Sequence, residues 1–148
     1  MADPVLYGPG EGEHNDAGTA QISIKATGDH TNGSFFLAEG TLAPGFAGPQ
    51  PHRHREHHDM FYVLEGTLTL RLGEREIEAS PGSFACVPPG VVHTFRNDSD
   101  GPVRLLNFNT PAGWEHYMRD LAQAAQSAPI TPEVIARVAS RYDIEFVE

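Results

Sequence analysis

The sequence predicts an all-β fold, a single small barrel of jelly-roll type with α-helices appended at its C-terminal end. Three observations predict it. About eight or nine short runs of β-forming residues follow one another between residues 20 and 110, each bounded by Gly or Pro. The chain carries 15 Gly and 12 Pro in 148 residues, a density that suits many tight turns and opposes a helical bundle. Apolar residues recur at helical spacing only after residue 113. The length is that of one domain with room for a core.

Each element can be justified in order. Residues 1–18, rich in Gly, Glu and Pro and without periodicity, are expected to be a flexible N-terminal arm. The barrel is expected over residues 19–112. Gln21-Ile22-Ser23-Ile24-Lys25-Ala26 alternates polar and apolar, as a half-buried strand does, and Ser34 to Ala43 reads as a second strand. Pro44 to Pro49 is turn-rich. Asp59 to Glu65 contains Phe61-Tyr62-Val63-Leu64, strong β formers, and ends at Gly66. Thr67 to Leu72 alternates and, after the Gly73-Glu74 turn, pairs back with Arg75 to Ala79 as a hairpin. Ser83 to Val87, Val91 to Asn97 and Val103 to Thr110 complete the strands. A helical extension is expected over residues 113–148. Trp114, Tyr117, Met118, Leu121 and Ala125 share one helical face. Thr131-Pro132-Glu133 then supplies a hydroxyl N-cap, a first-turn Pro and an acid facing the helix dipole. Trp114 and Tyr117 read as packing residues under that first helix rather than as ligands.

The chemistry concentrates in His52-Arg53-His54-Arg55-Glu56-His57-His58-Asp59, which His93 answers further along the chain. On a strand, His52 and His54 point to one side. By the same alternation Gln50 faces inward with them, and Asp59, Phe61 and Val63 share a face counted back from Gly66. His57 has the parity of Asp59, whereas His58 points the other way. Phe95 and Asn97 share the side of His93. Imidazoles and a carboxylate brought together form a donor set suited to one divalent transition metal ion. The ligand hypothesis is His52, His54, Asp59 and His93, with His57 as an alternative ligand. Gln50, Phe61, Val63 and Phe95 are the candidate substrate-pocket walls. Asp59 doubles as a candidate catalytic base. The competing reading is a solvated, His-rich surface loop. His14, His30 and His116 read as solvent histidines.

Composition excludes other functions. Ten basic residues against 20 acidic ones leave a net charge of −10, which repels phosphate backbones and argues against a nucleic-acid partner. No window approaches the ~20 apolar residues of a membrane span, and the N-terminus shows no secretory pattern; a cytoplasmic location is expected. The single cysteine, Cys86, reads as a small buried hydrophobe, with no basic sequence neighbour to activate it.

Two motifs resemble those of the cupin superfamily. The first runs H-x-H, three or four residues, Glu, six residues, Gly; here it stands as His52-x-His54, four residues, Asp59, six residues, Gly66. The second, G-x5-P-x-G-x2-H-x3-N, is met at Gly82, Pro88, Gly90, His93 and Asn97. Fifteen residues separate Gly66 from Gly82, the short spacing of small microbial cupins. Phe61 to Gly66 and Val87 to His93 are similar in wording to quercetin 2,3-dioxygenase-like single-domain cupins. The resemblance implies a single cupin barrel, often a homodimer, holding Fe, Mn, Ni, Co, Cu or Zn on three His and one carboxylate. It carries ligand roles to His52, His54 and His93, and to Asp59 in place of the usual Glu. It implies a small-molecule substrate, enolisable or polyphenolic, and a dioxygenase. An isomerase or polyketide cyclase, and a non-catalytic binding protein, are the alternatives. Two departures stand out: Asp59 is one methylene shorter than Glu, and the first motif's opening Gly is out of step, with Gly45 and Gly48 near Phe46.

Overall fold

The computed structural model describes residues 2–147. Eleven strands and three helices follow one another among them: β1 (Glu13–His14), β2 (Ala20–Ala26), α1 (Gly28–Thr31), β3 (Phe36–Leu42), β4 (His52–Arg53), β5 (His58–Glu65), β6 (Leu68–Leu72), β7 (Arg75–Ala79), β8 (Phe84–Val87), β9 (His93–Arg96), β10 (Val103–Thr110), α2 (Trp114–Ser127), α3 (Pro132–Ala139) and β11 (Glu145–Phe146). One sheet has the order β1-β2-β3-β10-β5-β8 and the other β11-β4-β9-β6-β7, with all pairings antiparallel. The jelly roll expected from the run of short strands is consistent with these two sheets. No helix among the described residues is long and apolar enough to cross a membrane.

Alternation along the strands builds the core. In β5, Asp59, Phe61 and Val63 are buried while His58 and Tyr62 face out, as the parity counted from Gly66 requires. Phe61, Val63, Leu42, Val87, Val103 and Leu105 of the first sheet meet Leu68, Leu70 and Ala79 of the second. Burying a side chain such as Phe61 contributes roughly 1.5–3 kcal/mol. Asn97 is fully buried just past β9. Its amide donates to the carbonyls of Leu42, Ala43 and Gly101, and its Oδ1 accepts from Ser99. The side chain thus fastens the end of β3 to the turn before β10.

The ends of the chain depart from expectation. Within the segment read as a free arm, Glu13–His14 pair with Ile24 and Ser23 of β2, and Glu13 holds Arg119 of α2 through two hydrogen bonds. A two-residue strand is too short to show a period, so alternation could not reveal it. The same applies to β11, which pairs Glu145 with Arg53 and Phe146 with His52. In the helical tail, Thr131 Oγ1 accepts from the Val134 N–H and Pro132 opens α3, as the N-cap pattern predicts. Tyr117, Val138, Ala139 and Ile144 form a separate small core there. Cys86 is exposed rather than buried. It lies on the outer face of β8, at the sheet edge, in phase with the 56% exposed Phe84.

The turn-rich stretch before β4 contains a position where only glycine fits. Gly48 has φ +77°, and a Cβ there would lie 1.8 Å from the Phe95 carbonyl oxygen in β9. Gly82 also has a positive φ, +90°, but faces open space. Gly82→Ala is expected to cost only the backbone strain of about 1–3 kcal/mol. Gly48→Ala adds a backbone clash and should be the clearly more destabilising of the two in urea-unfolding midpoints.

Candidate metal centre

The strand register brings the site together. His52 in β4 lies directly opposite His93 in β9, and Asp59 in β5 lies opposite Asn109 in β10. His54 follows β4, where its carbonyl accepts the Gly90 N–H at 2.8 Å and so ties this loop to the turn before His93. His52, His54, Asp59 and His93 are all buried, and one ligand atom from each lies within 4.8 Å of the others. Ring centroids are 4.4 Å apart for His52 and His93, 5.1 Å for His52 and His54, and 5.3 Å for His54 and His93.

Each ring is oriented by its Nδ1, which donates to a main-chain carbonyl: Gln50 O at 2.8 Å for His52, Asp143 O at 2.6 Å for His54, and Val91 O at 3.0 Å for His93. In a neutral ring that assignment leaves Nε2 free of its proton and able to bind an ion, whereas a protonated ring turns an Nε2–H toward Asp59. Asp59 Oδ2 stands 2.9 Å from His93 Nε2 and 3.5 Å from His54 Nε2. Its Oδ1 accepts from the amides of Asn107 and Asn109, both at 2.8 Å. Two donors bound at about 2.1 Å to one ion, at octahedral or tetrahedral angles, stand roughly 3.0–3.4 Å apart. The observed separations bracket that range, so the residues fit a metal ion, and the shorter Asp59 does reach the histidines.

The electrostatics favour the charged carboxylate. Burial alone would raise the Asp59 carboxyl, but hydrogen bonds and charge from His54 and His93 outweigh it and hold the group well below the usual range. Burial, together with the neighbouring His93, lowers His52 to about 4. For His54, burial pulls down, yet Asp59 and the Asp143 carbonyl prevail and the ring is raised.

Other residues expected at the site fall differently. Gln50 is exposed, because it precedes β4 and alternation does not extend to it; its contribution is the carbonyl that orients His52. Phe61 and Val63 fill the barrel core, with the Phe61 ring 6.4 Å from that of His93, and Phe95 packs against Phe61 and Phe46. His57 does not join the four-residue cluster. It precedes β5 and forms a second group with His54 and Asp143. Both carboxylate oxygens of Asp143 are occupied by main-chain N–H groups: Oδ1 by Arg55, and Oδ2 by Glu56 and His57. His54 Nδ1 is likewise engaged, so this second group is a hydrogen-bonded turn rather than a ligand set. Burial lowers the His57 imidazole, and its Nδ1 lies 3.0 Å from Asp143 Oδ2 without hydrogen-bond geometry. His58, His14 and His116 are exposed, whereas His30 is half-buried, its Nδ1 accepting the Thr27 N–H.

The sequence reading missed Asn107, Asn109 and Asp143. The two asparagines interrupt the inward face of β10 begun by Val103 and Leu105, a parity signal visible in the sequence. Asp143 carries no such signal. Trp114, read as a packing residue, packs edge-on to His54 at 5.3 Å and tilts against Tyr117. A cavity of about 450 Å³ lies beside it, lined among others by His57, Gly113, Trp114 and Tyr142.

Comparison with known proteins places this geometry. Residues 38–109 match the family described as "Cupin domain". Quercetin 2,3-dioxygenase of Bacillus subtilis is 31% identical over 122 residues, covering 81% of this chain and 35% of that protein. Quercetin 2,3-dioxygenase of Aspergillus japonicus is 29% identical over 111 residues, covering 70% and 31%. The chain thus spans about a third of the length of these two relatives. Among solved structures, KdgF from Halomonas sp. superposes with a TM-score of 0.66 at 18% identity, covering 76% of this chain and 98% of that one. A sugar phosphate isomerase from a cupin superfamily of Silicibacter pomeroyi gives 0.56 at 28% identity, covering 64% and 60%.

Two outcomes test the site. His93→Ala should remove most of the bound metal, whereas His58→Ala, at an exposed position, should leave it unchanged by elemental analysis. In the metal-free chain, His52 takes a proton at about 4 when folded and near 6.5 when unfolded. The unfolded state binds more protons between those values, so the His52 contribution makes stability fall as pH drops from 6.5 to 4. His52→Gln should flatten that part of the stability–pH curve in chelator-treated protein.

Proposed function

With a cupin domain over residues 38–109, the chain belongs to the cupin superfamily, and on that premise we propose that it is a metal-dependent dioxygenase of the quercetinase type, acting on a small enolisable or polyphenolic compound. Identity to the Bacillus subtilis enzyme over most of this chain supports the reaction class. One observation carries the metal: the Nε2 sides of three imidazoles and a carboxylate oxygen converge in a buried space, each ring held that way by a carbonyl on its Nδ1. Without an ion, the His93 and His54 rings hydrogen-bond the Asp59 carboxylate through Nε2. One divalent cation held by His52, His54, Asp59 and His93 would take the place of those protons. Imidazole with carboxylate suits Fe, Mn, Ni, Co, Cu or Zn, and availability selects among them. When bound, such an ion supplies Lewis-acid stabilisation of a substrate oxyanion.

The chain's own residues divide the remaining work. Asp59 suits the ligand role better than that of base, since Asn107 and Asn109 occupy Oδ1 and the depressed carboxyl is a weak proton acceptor near neutrality. His57, lowered by burial and lining the cavity beside His54, is the better-placed proton acceptor, through Nε2. Trp114 packs edge-on against His54 and helps to fix its ring. A homodimer in the cytoplasm completes the proposal; the exposed Tyr62 and Phe84 on the outside of the first sheet support association there.

A second reading, an oxygen-independent isomerase, is supported by the 28% identity to the Silicibacter pomeroyi isomerase structure. Oxygen-electrode assays with each of the six metals, on flavonol and β-diketone panels, separate the two. Oxygen uptake with product formation is expected. Turnover that persists under anaerobic conditions moves the chain to the isomerase class, and no turnover with any metal leaves a binding protein. Asp59→Ala should lose metal and activity together; full retention of both removes Asp59 from the ligand set.

A further inference from the structure

The three histidines are not oriented by equivalent means. His52 and His93 each donate Nδ1 to a carbonyl two residues earlier in the same segment, Gln50 and Val91. His54 instead donates to the carbonyl of Asp143, 89 residues away. Its orientation therefore depends on where the C-terminal segment docks.

Asp143 is fastened to the histidine segment more firmly than any surface ion pair would achieve. Its carboxylate accepts the N–H groups of Arg55 at 2.6 Å and of Glu56 and His57 at 2.9 Å each. One residue on, Ile144 is buried among Tyr117, Val138 and Ala139. The segment then continues as β11 against His52 and Arg53, with Phe146 6.2 Å from the His52 ring. The ion pairs of Glu145 with Arg53 and Arg55 are exposed and contribute little.

We infer that Asp143 is a positioning residue of the metal centre, latching the C-terminal segment onto residues 55–57 so that its own carbonyl aims His54 Nε2 at the ion. The inference rests on the metal reading above. Without the latch the His54 ring can turn about its Cβ–Cγ bond, and one ligand leaves the set. Lost outer hydrogen bonds of this kind typically weaken metal binding about 10–100-fold. Linkage requires the converse too: an ion that needs the latched arrangement must stabilise the latch.

Cobalt(II) binding to the full chain, by competition with a chelator, tests this. Asp143→Ala should bind about 10–100-fold more weakly, with a changed cobalt visible spectrum, while Glu145→Gln should stay within about twofold of wild type. Wild-type affinity and an unchanged spectrum in Asp143→Ala overturn the inference alone. A wild-type chain that takes up neither cobalt nor zinc overturns the metal reading, and this inference with it. Should Asp143→Ala fail to fold, hydrogen exchange in the wild-type chain decides. Zinc should slow exchange at the Arg55, Glu56 and His57 amides about tenfold or more, as the coupling requires. Zinc bound with no added protection there overturns the latch.

Discussion

The arrangement depends on one constraint: three imidazoles and a carboxylate, all buried, must converge so that one ligand atom of each lies within 4.8 Å of the others. Free rings would sample other orientations and scatter the set. They are not free, because a main-chain carbonyl holds the Nδ1 of every ring. The carboxylate is held by two asparagine amides from the neighbouring strand. The fold supplies the rigidity, and the donor set is one that could hold a cation.

Several features that look incidental follow from that constraint. Antiparallel pairing sets His52 against His93 and Asp59 against Asn109. Gly48 lets the chain pass close to β9 on its way into β4. The Gly90 N–H clasps the His54 carbonyl and keeps the two motif segments in contact. The C-terminal helices pack into their own small core, and beyond them the chain returns to the histidines through Asp143 and β11.

Much of this was legible residue by residue. Alternation counted back from Gly66 puts Asp59, Phe61 and Val63 on one face and His58 on the other, and the structure agrees because β5 is an unbroken strand. The same counting failed for Gln50 and His57, which lie outside any strand, where a period of two has no meaning. Cys86 is exposed because it shares the outer face of β8 with Phe84, which residue type alone does not reveal. Asn107 and Asn109 interrupt the apolar face of β10, a signal legible in the sequence.

By itself, the sequence determined the all-β class, the positions of the longer strands, the N-cap of α3 and the donor types at residues 52, 54, 59 and 93. These follow from local periodicity and motif spacing, which short-range sterics and hydrophobic burial enforce. Only the tertiary structure decided which nitrogen of each ring faces the shared space, how Asp59 meets the histidines despite its short side chain, and that Asp143 orients His54. Those are contacts between residues tens of positions apart, and no local rule specifies a hydrogen bond whose partners meet only after both sheets have closed.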